Sequence, residues 1–158
     1  MDKKITKDRH LLDVRIMAER LAMLYYHMVK NIIAEVGAER AEELVRKIIL
    51  EYGTECGLNN RDNVEALGKE ATLENYNLGN DLPSVGWEIE DGKTLYCPFA
   101  ATWKKLDFEK WGRLYCFVDQ AKYEGYNANL RCFHDKNLLD GDECCILRVE
   151  DISQEKDK

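Results

Sequence analysis

At 158 residues with 45% hydrophobic side chains, the chain is long enough to bury a core of its own, which excludes general disorder. Its formal net charge of −7 argues against nucleic acid and membrane partners, since both attract basic surfaces. The polar start, Met1-Asp2-Lys3-Lys4, lacks a signal peptide's apolar core, and no run approaches the roughly 20 apolar residues of a membrane span. A cytoplasmic protein is expected, and its six cysteines are expected to be free thiols, mostly small buried hydrophobes.

Over residues 8–36 the periodicity is helical. Val14, Met17, Leu21, Leu24, Met28 and Ile32 recur at steps of three and four and form one apolar stripe, expected to face the core. Leu12, Ile16, Tyr25, Val29 and Ile33 widen the stripe, and Gly37 ends the helix. A helix this apolar exceeds what one domain can cover, so a homodimer through it is expected. A second helix is read over 38–52, with Glu39, Glu42 and Glu43 at its positive end and Leu44, Val45, Ile48 and Ile49 buried. Gly53 and Gly57 are read as loosening its exit, and Asn60 as the cap of a shorter piece reaching toward Tyr76.

At Gly79 the character changes to turn formers, Asn80, Asp81, Pro83 and Ser84. Val85, Trp87 and Ile89 then alternate with Gly86, Glu88 and Glu90; Asp91-Gly92 reads as a hairpin turn and 93–97 as the returning strand. A short helix is expected over 99–106, and another over 114–124 that Gly125 stops. Residues 130–134 and 143–150 read as two strands joined by a loop containing Asp140-Gly141-Asp142. The pattern is α+β: N-terminal helices followed by a mostly antiparallel sheet with one inserted helix. A single domain over 1–158 is expected, with 1–78 as helical scaffold, 79–150 carrying the site and 151–158 as a charged tail.

Cys116 and Asp119 stand three apart in a predicted helix, on one face with Gln120 and Tyr123. A carboxylate beside a thiol can shuttle its proton or position a water. It also raises the thiol pKa, so the pair suits a nucleophile with a general acid/base better than a preformed thiolate. Cys144 and Cys145 are neighbours on a strand and must point to opposite faces. Cys145 shares its face with Leu147 and Val149, which puts it on the core side. Cys97, Cys116, Cys132, His134 and Cys145 are zinc-ligand types, yet no Cys-x-x-Cys pair occurs and they come from four elements. Neither a metal nor another cofactor is expected. His134 is more often a satisfied histidine than a ligand and is held in reserve, His27 reads as structural, and neither a phosphate-binding glycine loop nor a serine-hydrolase elbow is present.

Four runs carry a resemblance. Tyr96-Cys97-Pro98-Phe99-Ala100, then Leu114-Tyr115-Cys116-Phe117-Val118-Asp119-Gln120-Ala121, Gly125-Tyr126-Asn127, and Asn137-Leu138-Leu139-Asp140-Gly141-Asp142-Glu143-Cys144-Cys145 resemble the L-2-amino-thiazoline-4-carboxylic acid hydrolase family. The resemblance covers roughly residues 86–148, with Cys145 in the family's Leu-x-x-Gly-Asp-x-x-Cys ending and Cys144 an extra. It implies a hydrolase that opens a small cyclic isothiourea to N-carbamoyl-L-cysteine, acting on a carbon–nitrogen or carbon–sulfur bond. In that frame the catalytic candidates are Cys116, Asp119 and Cys145, with Cys116 attacking covalently or Asp119 activating water, and Cys144 is a catalytic candidate only through a second, local similarity. Arg113, Arg131 or Arg148, together with Tyr123, would hold the substrate. A local Cys-x-x-Asp…Cys-Cys similarity to organomercurial lyase implies instead that two thiols grip a metal while the aspartate protonates its carbon. The helices-then-sheet order is also similar to 4-vinyl reductase domains, which implies a non-catalytic small-molecule or metal sensor.

Overall fold

The computed structural model describes residues 7–79 and 85–153. Two long helices come first, α1 (Lys7–Val36) and α2 (Ala38–Ala66), followed by a 3-10 turn over Leu73–Leu78. Strands β1 (Glu88–Glu90) and β2 (Lys93–Tyr96) precede three short helices, α3 (Pro98–Lys105), α4 (Glu109–Tyr115) and α5 (Phe117–Tyr126). Strands β3 (Leu130–Lys136) and β4 (Cys145–Asp151) close the chain, with a 3-10 turn over Leu138–Asp140 between them. The strand order is β1-β2-β4-β3 with every pairing antiparallel, so the α+β architecture stands. The turn run 80–84 and the tail beyond Ser153 lie outside the described residues.

The face of α1 turned to the core differs from the expected stripe. Ala18, Ala22 and Val29 are buried, whereas Met17, Leu21, Leu24 and Met28 are 43–69% exposed. Small side chains decide this, because they let α3 come close. Trp103, itself buried, donates its indole N–H to the Ala22 carbonyl at 3.0 Å. Tyr25, from the same face, donates its hydroxyl to the Trp111 carbonyl at 2.8 Å and packs its ring against Trp103, Phe108 and Tyr115. Helix α1 thus meets the C-terminal half through aromatic contacts.

The second helix does not end at Tyr52 but runs unbroken to Ala66. Its glycines are there for close packing. A Cβ on Gly53 would sit 2.7 Å from the Ala121 Cβ, and one on Gly57 would collide with the Lys122 carbonyl. From the other side, Gly125 fits against the Thr54 carbonyl, and it lies inside α5 rather than stopping it. Asn60 is no cap; it is buried in mid-helix and its side-chain amide donates to the Tyr76 carbonyl at 3.1 Å. Backbone-to-backbone approach of this kind requires that Cβ be absent.

The expected helix over 114–124 is instead two helices that meet at Cys116, the last residue of one cap and the first of the next. The hairpin turn at Asp91-Gly92 forms as expected, with φ of 48° and 75° at its two residues. Strands β3 and β4 pair His134 with Leu147 and Cys132 with Val149. Leu130 and Cys132 are buried while Phe133 is exposed, which fixes the β3 face carrying residues 130, 132 and 134 as the one turned to the helices. Among the described residues, no helix is long and apolar enough to cross a membrane.

Candidate active site

The α4–α5 junction sets the first feature of the site. Cys116 adopts φ −63° and ψ −14° there, and its carbonyl accepts from the Asp119 N–H at 3.2 Å. Asp119 therefore occupies the first turn of α5, where a carboxylate is favoured by the positive helix end. Both residues line a cavity of about 300 Å³, together with Cys145 of β4. The remaining wall comes from the whole molecule: Tyr52 and Cys56 of α2, Phe99 and Trp103 of α3, Lys122 of α5, and His134 of β3.

His134 Nε2 stands 3.2 Å from Asp119 Oδ2, and the His134 side chain is only 9% exposed. With Asp119 ionised, the imidazole is the donor in this contact. Burial pushes the Cys116 thiol up to about 12; the neighbouring Asn137 amide favours its thiolate, Asp119 opposes it and Arg113 favours it. Burial likewise raises the Cys145 thiol, against which the Leu138 backbone N–H acts by donating to the sulfur at 3.3 Å. Cys97, a third sulfur on the wall, is raised by burial and eased by the Ala100 amide, the Trp87 side chain and the Phe99 amide. The site therefore holds protonated thiols in a largely aromatic hollow, with a carboxylate–imidazole pair beside them.

The other sequence candidates lie elsewhere. Cys144 is buried and does not line the cavity. Tyr123 stacks on Tyr76 with centroids 4.1 Å apart, and Arg131 donates to the Ala128 and Leu130 carbonyls. Arg148 pairs with Asp135 and Glu150, all three exposed side chains. The physical reason is strand alternation: residues 131 and 148 lie on the sheet face opposite to 132 and 134. Arg113 comes closer. It donates Nε to Asp140 at 2.8 Å, its Nη1 is buried without a hydrogen-bond partner, and its charge favours the thiolates of Cys116 and Cys145. It does not line the cavity.

Sequence reasoning missed His134, Lys122, Asn137, Cys97 and Trp87 as wall residues. Two of them left a signal. Lys122 follows Asp119 by three on one helix, and His134 shares the β-alternation of Leu130 and Cys132. Asn137 left none, since its place depends on an irregular turn in which its side chain accepts from the Leu139 N–H. Among the described residues, no three His, Cys, Asp or Glu side chains are arranged to hold a metal ion.

Long helices, an antiparallel sheet, and a hollow lined by both with thiols and a carboxylate on its wall make this an α+β domain with a candidate site. The L-2-amino-thiazoline-4-carboxylic acid hydrolase family matches residues 15–149, and the protein belongs to that family. The match reaches back into α1, well before the four runs that carry the resemblance. No curated protein and no solved structure matches the chain.

Proposed function

We propose that the protein is a hydrolase that opens a small cyclic isothiourea-type substrate at its amidine-like carbon, with Cys116 as nucleophile and Asp119 as general acid/base. The reading rests on one observation: Cys116, Asp119 and Cys145 share the wall of a single cavity in which His134 is bonded to Asp119. A thiol held up to about 12 is a poor nucleophile unless a base takes its proton during attack. Asp119, oriented by His134, takes that proton as the sulfur adds to the substrate carbon. The ring bond from carbon to sulfur then breaks, and the departing substrate sulfur receives the proton. Water next adds to the same carbon, giving its proton through Asp119 to the leaving Cys116 sulfur. The thiol is restored and one water has been consumed.

Asn137 lies beside the reacting sulfur, and Cys145 shares the largely aromatic wall. Lys122 is the lysine of the cavity wall. It is suited to hold a substrate carboxylate by charge, in place of the arginines expected from sequence.

Turnover of 2-amino-thiazoline-4-carboxylate, followed by release of N-carbamoyl-cysteine, tests this reading. Cys116→Ser should lower kcat by about 10³ or more and Asp119→Asn by roughly 10²–10⁴, while Lys122→Met should chiefly raise KM. A Cys116→Ser enzyme with full activity would sink the nucleophile. Two sulfurs and a carboxylate on one wall are also the set required for protonolysis of a carbon–metal bond. An alkylmercury compound assayed beside the thiazoline separates the two, and binding of either without turnover would mark a sensor.

A further inference from the structure

We propose that the protein is a homodimer joined along the outward face of α1, with the α1 of a second copy seated in the groove between α1 and α2. Met17, Leu21, Leu24 and Met28 follow one another at steps of four, three and four, which is the 3.5-residue period of a helix-on-helix seam. All four face solvent within a single copy, even though the same helix already buries a second, separate face. Ile48 and Tyr52 of α2 are about as exposed and flank the seam. Between them lies a groove of about 300 Å³ floored by Val29, Val45 and Ile49.

Size favours a second copy over a smaller occupant. Six half-exposed large side chains present roughly 500 Å² of apolar surface per copy, and their flanks bring the patch toward the about 800 Å² per partner of a stable interface. The seam is also self-complementary. A twofold axis between Leu21 and Leu24 sets Met17 of one antiparallel helix against Met28 of the other, the isologous arrangement that closes as a dimer. The groove ends on Tyr52 and Tyr115, which also line the thiol cavity and interact with each other. A helix seated there covers the outer side of that tyrosine pair and completes the cavity wall.

Sedimentation equilibrium over a wide concentration range tests the assembly without reference to catalysis. The wild-type chain should be dimeric at micromolar concentration. Leu24→Glu should raise the dissociation constant at least a hundredfold with an unchanged far-UV spectrum, and Ile89→Glu, on the exposed hairpin, should remain dimeric. Should Leu24→Glu fail to fold, Met17→Glu at the most exposed seam position makes the same test. A wild-type monomer throughout overturns the proposal, whether its groove is bare or holds an apolar small molecule seen by native mass spectrometry. A Leu24→Glu dimer as tight as wild type overturns it equally.

Discussion

Cys97, Cys116, Cys132 and Cys145 are all held above the ordinary thiol range, in each case chiefly by burial. A raised thiol pKa means that the folded protein keeps a proton which the unfolded chain has released. Between the ordinary value of 9.0 and about 12, the range for Cys116 and Cys132, the native state therefore binds more protons, and stability must fall as pH rises. Below that window both states are protonated and the effect is absent. Each such group steepens the decline by about 1.4 kcal/mol per pH unit. Urea unfolding at pH 8, 9 and 10 should show this loss, and Cys116→Ala should have a shallower slope; equal slopes would contradict the burial of that thiol. In the folded protein, alkylation of Cys116 should be slow at pH 7 and still be accelerating above pH 9.

The spacing of the Cys116–Asp119 pair was readable from sequence because helical period alone puts two residues three apart on neighbouring positions. The choice among Arg113, Arg131 and Arg148 was not readable. It depends on which sheet face meets α5, and alternation within a strand leaves both faces equivalent until something packs on one of them. His134 was lost for the same reason, since a strand histidine looks the same whether it faces water or an aspartate.

At the scale of elements, α5 owes its position to its fit against α2. Gly53, Gly57 and Gly125 bring the two backbones into contact, so α5 cannot move outward or inward without breaking that fit. Gly57→Ala should therefore destabilise the fold by about 1–3 kcal/mol through overpacking, although alanine is the better helix former. It should also change the reactivity of Cys116, because the strain is relieved by shifting the helix that carries Asp119. A thermal melt together with a thiol titration checks both effects; a stabilised variant with unaltered titration would mean that the close approach is not real. The same glycines explain why the end of α2 was misread. Propensity treats a glycine inside a helix as a weak point, whereas here the tertiary contact overrides it, and no local signal separates the two cases. The hairpin had no such ambiguity, since Asp91-Gly92 satisfies its turn by local conformation alone.

For the molecule as a whole, one core unites both halves of the chain: Ala22, Val29, Val45 and Ile49 pack with Trp103, Phe108, Leu114 and Val118. Unfolding should accordingly be one transition, with far-UV circular dichroism reporting the helices and tryptophan fluorescence reporting Trp87, Trp103 and Trp111 at the same denaturant midpoint. Two separated midpoints would divide the chain into independent units. The order of helices and strands, and with it the α+β class, was legible because each element has its own period. Which face of α1 turns inward was not, because the helix is apolar on both sides and the small alanines that win the core side score as weakly hydrophobic.

Tyr52 and Cys56 give that shared core a chemical meaning. They belong to a helix that carries none of the recognisable motifs, yet they supply one side of the vessel in which the sulfurs sit. Grafting the C-terminal half onto a different helical partner would transplant the reactive groups and leave their container open. On the proposed function, that chemistry requires the long helices, in keeping with a family match that begins inside α1 and ends within β4.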